Sequence, residues 1–227
     1  MKLLTNPFGT SHISIQKRTV STDLFIAEAI ETCWERHAEV IKQPMVEQII
    51  AISGMPGSGK SLVSDVAREM GYHVYVMGDI VRDEAKRLGL EPSPANLGMI
   101  ALKLRKEEGP AVVARMLGDQ MKNDDSKIAM VEGVRSVDEL QEFRKYFKIT
   151  VLAVVCSSRT RYSRLKERGR SDDPRNVSEF RERDKRELRL GIGKVMGTAD
   201  KQIKNEADVI TFRSQVREAL EEMSRVG

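Results

Sequence analysis

"GMPGSGKS", Gly54 to Ser61, is the stretch on which the fold turns. It satisfies G-x-x-x-x-G-K-[ST] in full. It also stands where that pattern has meaning, with the apolar run "EQIIAIS" (47–53) before it and the helix-patterned "SLVSDVAREM" (61–70) after it. Gly54, Gly57 and Gly59 let the backbone turn so that successive N–H groups point inward, and those groups together with the helix N-terminus hold phosphate oxygens. Lys60 is placed to reach β- and γ-phosphates, and the Ser61 hydroxyl to ligate Mg²⁺. The expected nucleotide-binding set is Gly54, Met55, Pro56, Gly57, Ser58, Gly59, Lys60, Ser61 and Leu62. A nucleoside triphosphate is therefore bound. Hydrolysis, transfer and switching all stay open from this loop alone.

Outward from the loop, apolar strand-like runs alternate with helical segments. The strands read as Gln48–Ser53, His73–Met77, Lys127–Glu132, Ile149–Cys156 and Lys201–Lys204, the last mostly polar. Helix patterns cover about 60–70, 80–89, 95–107, 110–121, 137–146, 159–168, 176–190 and 211–225. Ser136 with Glu139 spells a capping box, and Pro110 suits the first turn of its helix. This alternation predicts an α/β fold: a P-loop NTPase three-layer sandwich, with a five-stranded parallel sheet, helices on both faces and a short helical lid. Residues 1–44 read as an extension with one helix over 22–42, stopped by Pro44, and 45–227 as the P-loop domain.

Three further segments lie at strand ends, where a doubly wound sheet presents its ligand crevice. "VYVMGDIVR" puts Asp79 and Arg82 there; Arg82 suits an anionic group of a second substrate. "IAMVEGVRS" puts Glu132 directly after an apolar strand, where an acid holds the Mg²⁺ shell through water. Gly133 allows close backbone approach there, and Arg135 points to the same crevice. Beyond the fourth strand, Arg159 to Arg189 holds twelve Lys/Arg and seven Asp/Glu, a net of +5 in a chain of net +4. That run offers Arg161, Arg164, Arg168, Arg170, Arg175, Arg181 and Arg183. Arginines of this kind stabilise charge on a moving phosphoryl group, and a closing lid excludes water.

These motifs resemble the P-loop nucleotide kinases of the adenylate kinase type. "GMPGSGKS" is similar to their G-x-P-G-x-G-K loop, "MGDIVR" to T-G-D-x-x-R, "EGVR" to D-G-x-x-R, and "GRSDD" with Arg181 to the lid-edge R-x-D-D and its following arginine. "ADKQIKNEA" (199–207) is similar to a segment of dephospho-CoA kinases. The stretch 48–225 as a whole resembles an archaeal family of adenylate-kinase-like and dephospho-CoA-kinase-like ATP-binding proteins. The resemblance implies an ATP- and Mg²⁺-dependent kinase with acceptor-binding helices over about 79–122 and a lid over about 159–183. It implies that Gly57 to Ser61 bind donor phosphates and that Asp79, Arg82, Gly133 and Arg135 form the acceptor site. Lys60, Arg170 and Arg181 would then serve catalysis, and Ser61 and Glu132 the metal. Glu132 stands where such kinases carry Asp, one methylene shorter.

Two acceptor chemistries stay open. A nucleoside monophosphate accepts on a phosphate that arginines neutralise, whereas dephospho-CoA accepts on a hydroxyl that wants a base such as Asp79. A P-loop ATPase without a small acceptor is the second alternative. A guanine-reading N-K-x-D is absent. The arginine-rich run holds only Tyr162 and Phe180 as aromatics, fewer than base stacking on single-stranded nucleic acid favours. The expected partner is thus a small nucleotide-like molecule. Composition agrees with a globular chain: 40% apolar and 32% charged in 227 residues. No run reaches the roughly 18–20 apolar residues of a membrane span, and Cys33 and Cys156 build no disulfide framework. A reducing cytoplasm is the expected location.

Overall fold

The structure is a computed structural model describing residues 46–170 and 173–225. The expected 1–44 extension and its helix lie outside the described residues. The apolar runs become β1 (Gln48–Ser53), β2 (His73–Val76), β3 (Ile128–Glu132), β4 (Lys148–Val155) and β5 (Lys201–Lys204). They form one sheet in the order β2-β3-β1-β4-β5, every neighbouring pair parallel. The helices are α1 (Lys60–Glu69), α2 (Met77–Arg87), α3 (Pro94–Glu108), α4 (Val112–Met121), α5 (Val137–Arg144), α6 (Ser158–Arg168), α7 (Val177–Leu190), α8 (Ile192–Gly197) and α9 (Val209–Arg225).

Strand β1 is buried along its whole length, and that explains its unbroken apolar run. Ile49 and Ala51 pack with Ala129, Val131 and Val151 against Ile80, Val113, Leu117, Leu140, Phe143 and Val195. Ile50 and Ile52 pack with Met130, Leu152 and Val154 against Val63 and Val66 of α1 and Phe212, Val216 and Leu220 of α9. The side-chain alternation of a strand thus feeds two cores, one on each face. Parallel register sets Ile52 opposite Glu132 and Ser53 opposite Ala153. The ends of β1, β3 and β4 therefore share one edge, and β1 lies between strands reached by opposite crossovers, the switch point where such sheets bind ligands.

Local differences from the sequence reading have physical causes. Met77 begins α2 instead of ending β2; it is buried at 4% exposure, so its apolar character reads equally well as strand. Pro110 precedes α4 in a turn opened by Gly109 (φ 95), with Ala111 as N-cap. Helix α8 lies outside the helix patterns read from the sequence; Gly191 (φ 103) both ends α7 and starts α8. Strand β5 is an edge strand in which only Ile203 is buried, hence its polar pattern. No helix among the described residues is long and apolar enough to cross a membrane.

Candidate functional site

Hydrogen bonds to backbone carbonyls fix the sheet edge. Gly133 N donates to Ile52 O at 3.0 Å, and the buried Ser53 hydroxyl donates to Val134 O at 2.9 Å. The loop after β3 is thereby tied to the end of β1, beside the phosphate loop. The capping box at Ser136 and Glu139 forms as read: Glu139 N donates to Ser136 Oγ at 3.1 Å, and Ser136 N to Glu139 Oε2 at 3.3 Å. The same carboxylate also accepts Arg135 N at 2.8 Å, and Arg105 Nη2 of α3 at 3.0 Å on its other oxygen. A helix cap thus holds the backbone from which Arg135 projects.

Two loop glycines are required by close approach. Gly57 (φ 80) leaves no room for a Cβ, which would lie 2.7 Å from Arg161 O and 2.9 Å from Leu165 Cγ. Gly59 (φ 104) faces Asn205, whose Nδ2 would stand 2.1 Å from a Cβ. Asn205, buried just past β5, donates to Ser58 O at 2.8 Å and accepts from Arg164 Nη2 at 3.1 Å. Helix α6 is seated on the loop through Arg161. Its guanidinium donates to Pro56 O at 3.1 Å, forks onto Asp184 at 2.9 and 2.5 Å, and lies 4.9 Å from the Phe180 ring centroid.

A cleft of about 310 Å³ opens over the loop. Its walls include Lys60, Arg82, Arg135, Arg164, Arg168, Arg170 and Arg183, against the carboxylates Glu132 and Glu187. Lys60 Nζ donates to Gly54 O at 2.7 Å and Met55 O at 3.3 Å. Burial pushes its pKa down to about 8; Glu132 and Glu187 pull it upward, while Arg135 and Arg183 repel the charge. Glu132 is fixed by the Ser64 hydroxyl of α1, which donates to Oε2 at 2.5 Å, and Ser61 lines the same cleft. Hard oxygen donors of this kind fit Mg²⁺.

Most of the expected residues meet here: Gly54, Pro56, Gly57, Gly59, Lys60, Ser61, Arg82, Glu132, Gly133, Arg135 and Arg170 line one cleft. Leu62, in the first turn of α1, is partly buried against the core, and Ser58 is the fully buried serine of the loop. Met55 contributes its carbonyl to Lys60. Asp79 does not itself line the cleft; it is exposed and paired with Arg82, which does. Arg181 is not brought in either. It lines a separate recess formed by α6 and α7, with Arg159, Tyr162 and Lys185. Arg183 is the α7 arginine that faces the cleft.

The phase of α7 was available in the sequence. Phe180 is its buried apolar anchor, and three and seven residues on stand Arg183 and Glu187, which share its inward side. Asp173 is a second residue the sequence reading passed over, although "GRSDD" contains it. It is buried, and it collects Arg168 at 2.5 and 2.9 Å, Arg170 N at 3.0 Å and Arg183 at 3.3 Å. Burial pushes its pKa up, but the Arg168 hydrogen bonds and neighbouring charges outweigh that and hold it below the usual carboxylate value. Asp173 thus organises the arginines of this wall.

A family model described as AAA domain matches residues 53–181. A UPF0200 protein of Hyperthermus butylicus is 46% identical over 179 residues, covering 79% of this chain and 96% of the relative. One of Methanosarcina mazei is 42% identical, covering 76% of this chain and 94% of the relative. Among solved structures, the TT1252 protein of Thermus thermophilus superposes with a TM-score of 0.54 at 19% identity, covering 78% of this chain and 98% of that one. Shikimate kinase from Acinetobacter baumannii, solved with shikimate, gives 0.50 at 12% identity, covering 79% and 94%. Both likenesses are of fold.

Proposed function

The chain belongs to the UPF0200 family and has a P-loop kinase-like fold, and from that premise we propose that it is an ATP-dependent phosphotransferase. It moves the γ-phosphoryl group of ATP to a phosphate-bearing, nucleotide-like acceptor, in the manner of a nucleoside monophosphate kinase. One observation carries this reading. The cleft draws its cations from two sets of elements: Lys60 with Arg164, Arg168, Arg170 and Arg183 from the loop and α6–α7, and Arg82 from α2 with Arg135 from the loop after β3. One triphosphate is served by the first group. The second group supports a second anion facing it.

In the reaction an acceptor oxygen bonds to the γ-phosphorus, the bond from that phosphorus to the β,γ-bridging oxygen breaks, and ADP leaves. Lys60 and the loop N–H groups hold the donor phosphates, Arg170 and Arg183 neutralise charge spreading over the moving group, and Arg82 and Arg135 hold the acceptor. Ser61 and Glu132 would hold Mg²⁺, which when bound supplies charge neutralisation between the β- and γ-phosphates. The Asp79 carboxylate is engaged by Arg82, and this favours a phosphate acceptor over the dephospho-CoA-like hydroxyl acceptor for which Asp79 is the candidate base.

Two expected results follow from this arrangement. Arg82→Ala raises the acceptor KM about 10- to 100-fold, the worth of a charged hydrogen bond, with the ATP KM nearly unchanged. An unchanged acceptor KM in initial-rate kinetics removes Arg82 from the acceptor site. The second concerns pH. Free Lys60 titrates near 8. A bound triphosphate favours the ammonium, so its pKa rises on binding and a proton is taken up. Affinity then falls as pH rises through 8, by about tenfold from pH 7 to pH 9. Titration calorimetry with a non-hydrolysable ATP analogue measures this, and a flat profile would mean that Lys60 does not carry the binding charge. The activity itself is tested by ADP release with ATP–Mg²⁺ and a panel of nucleoside monophosphates plus dephospho-CoA. Acceptor-stimulated release is expected; steady release indifferent to every acceptor would point to an ATPase.

A further inference from the structure

Glu187 is out of place in an anion-binding cleft unless it has a partner of its own. Its side chain is 9% exposed and lines the cleft from α7. It stands between the two cationic groups: Arg135 Nε is 3.5 Å from Oε2, and its charge also acts on Lys60. Yet Oε2 is buried and accepts no hydrogen bond within the described residues. Two neighbouring arginine–carboxylate pairs close at 2.5 Å, Arg161 on Asp184 and Arg168 on Asp173, while Arg183 stands 3.3 Å from Asp173. Arg135 and Glu187 do not close in this way. A carboxylate kept only to orient Arg135 would take its N–H groups at bonding distance. A carboxylate facing only phosphate would repel it. What suits this under-bonded, cleft-lining carboxylate is a hydrogen-bond donor brought by the ligand.

We propose that Glu187 reads the acceptor: its cleft-lining carboxylate receives a hydrogen bond from a hydroxyl or amino group carried beside the phosphate that Arg82 and Arg135 hold. The acceptor class is then a phosphate ester with a nearby donor, as in a nucleotide, and bare polyanions are disfavoured by the same charge. This deepens the phosphotransferase reading and rests on it. The contact is a positioning one, made with the acceptor and not with the group transferred.

The test compares wild type with Glu187→Gln, which keeps the volume and removes the charge. Each is assayed with the four common ribonucleoside 5′-monophosphates, their 2′-deoxy counterparts and dephospho-CoA. For the acceptor that wild type uses best, kcat/KM falls about 10- to 100-fold, the range for a hydrogen bond to a charged group. The ATP KM stays within about twofold of wild type, and Glu187→Asp restores part of the loss. The same pair is then measured in an Arg135→Ala background, where the loss caused by Glu187→Gln persists. The proposal is overturned if the acceptor kcat/KM is unchanged, if the ATP KM rises in parallel, or if the effect vanishes once Arg135 is gone, since Glu187 then only orients that arginine. If wild type transfers to no acceptor at all, the phosphotransferase reading fails first and this one falls with it; if wild type transfers and Glu187→Gln is silent, only this one fails.

Discussion

Lys60→Ala lowers phosphoryl transfer by about 10³-fold, roughly 4 kcal/mol of transition-state stabilisation, while the protein stays folded. Both halves of that result come from the same geometry. The ammonium is the cation closest to the loop, and its two hydrogen bonds to Gly54 O and Met55 O put it where donor phosphates would be held. Stability behaves differently. The folded pKa lies near 8, below the ordinary 10.5, so folding disfavours the charged form. That penalty is fully present below pH 8 and is relieved as pH rises from 8 toward 10.5, where the unfolded chain binds more protons. Removing the side chain at pH 7 removes the penalty with the hydrogen bonds, and the midpoint of thermal unfolding moves little. Steady-state ADP release and a thermal melt check the two halves. A large fall in the melting temperature alongside the lost rate would make Lys60 a structural residue instead.

Arg161→Ala produces the largest loss of stability. The guanidinium is buried, forked onto Asp184, bonded to Pro56 O of the phosphate loop and stacked near Phe180. Truncation leaves the Asp184 charge unpaired in a mostly buried position, and breaking a buried pair in this way costs about 3–5 kcal/mol. In a domain of this size that lowers the melting temperature by about 6–20 °C. The cost lies in the uncompensated carboxylate, so the double variant Arg161→Met with Asp184→Leu recovers much of the stability. It does not recover the loop contact, and nucleotide affinity stays reduced. If the single variant melts within a degree or two of wild type, α6 is not anchored to the loop through this pair.

The parts of the molecule legible from the sequence are those in which one local pattern has a single structural meaning. Unbroken apolar runs such as "QIIAIS" are buried on both faces, so they mark central parallel strands to within a residue. The phosphate loop is legible because its glycines and Lys60 act through backbone geometry, which spacing encodes directly. The lid arginines were not sorted by spacing. Arg181 and Arg183 are two residues apart, and the rotation of α7 on Phe180 decides which one meets the cleft. Asp79 fits the acceptor motif, yet its position within α2 turns it toward Arg82 and solvent. Asn205 and Glu187 carry no pattern of their own. Each acts across a large sequence separation, as in the 147-residue span from Asn205 to Ser58. The only local signal was that Asn205 follows a strand at the edge where the loop lies.

Transfer of the γ-phosphoryl group, as opposed to its release, is the centre of this account. The direct measurement follows the label of [γ-³²P]ATP incubated with the protein, Mg²⁺ and the acceptor panel, with products separated by thin-layer chromatography. Most of the label is expected on a nucleotide-like acceptor in amounts matching the ADP formed, and Lys60→Ala lowers that transfer by about 10³-fold. Label recovered only as inorganic phosphate, at a rate no acceptor changes, would contradict this account.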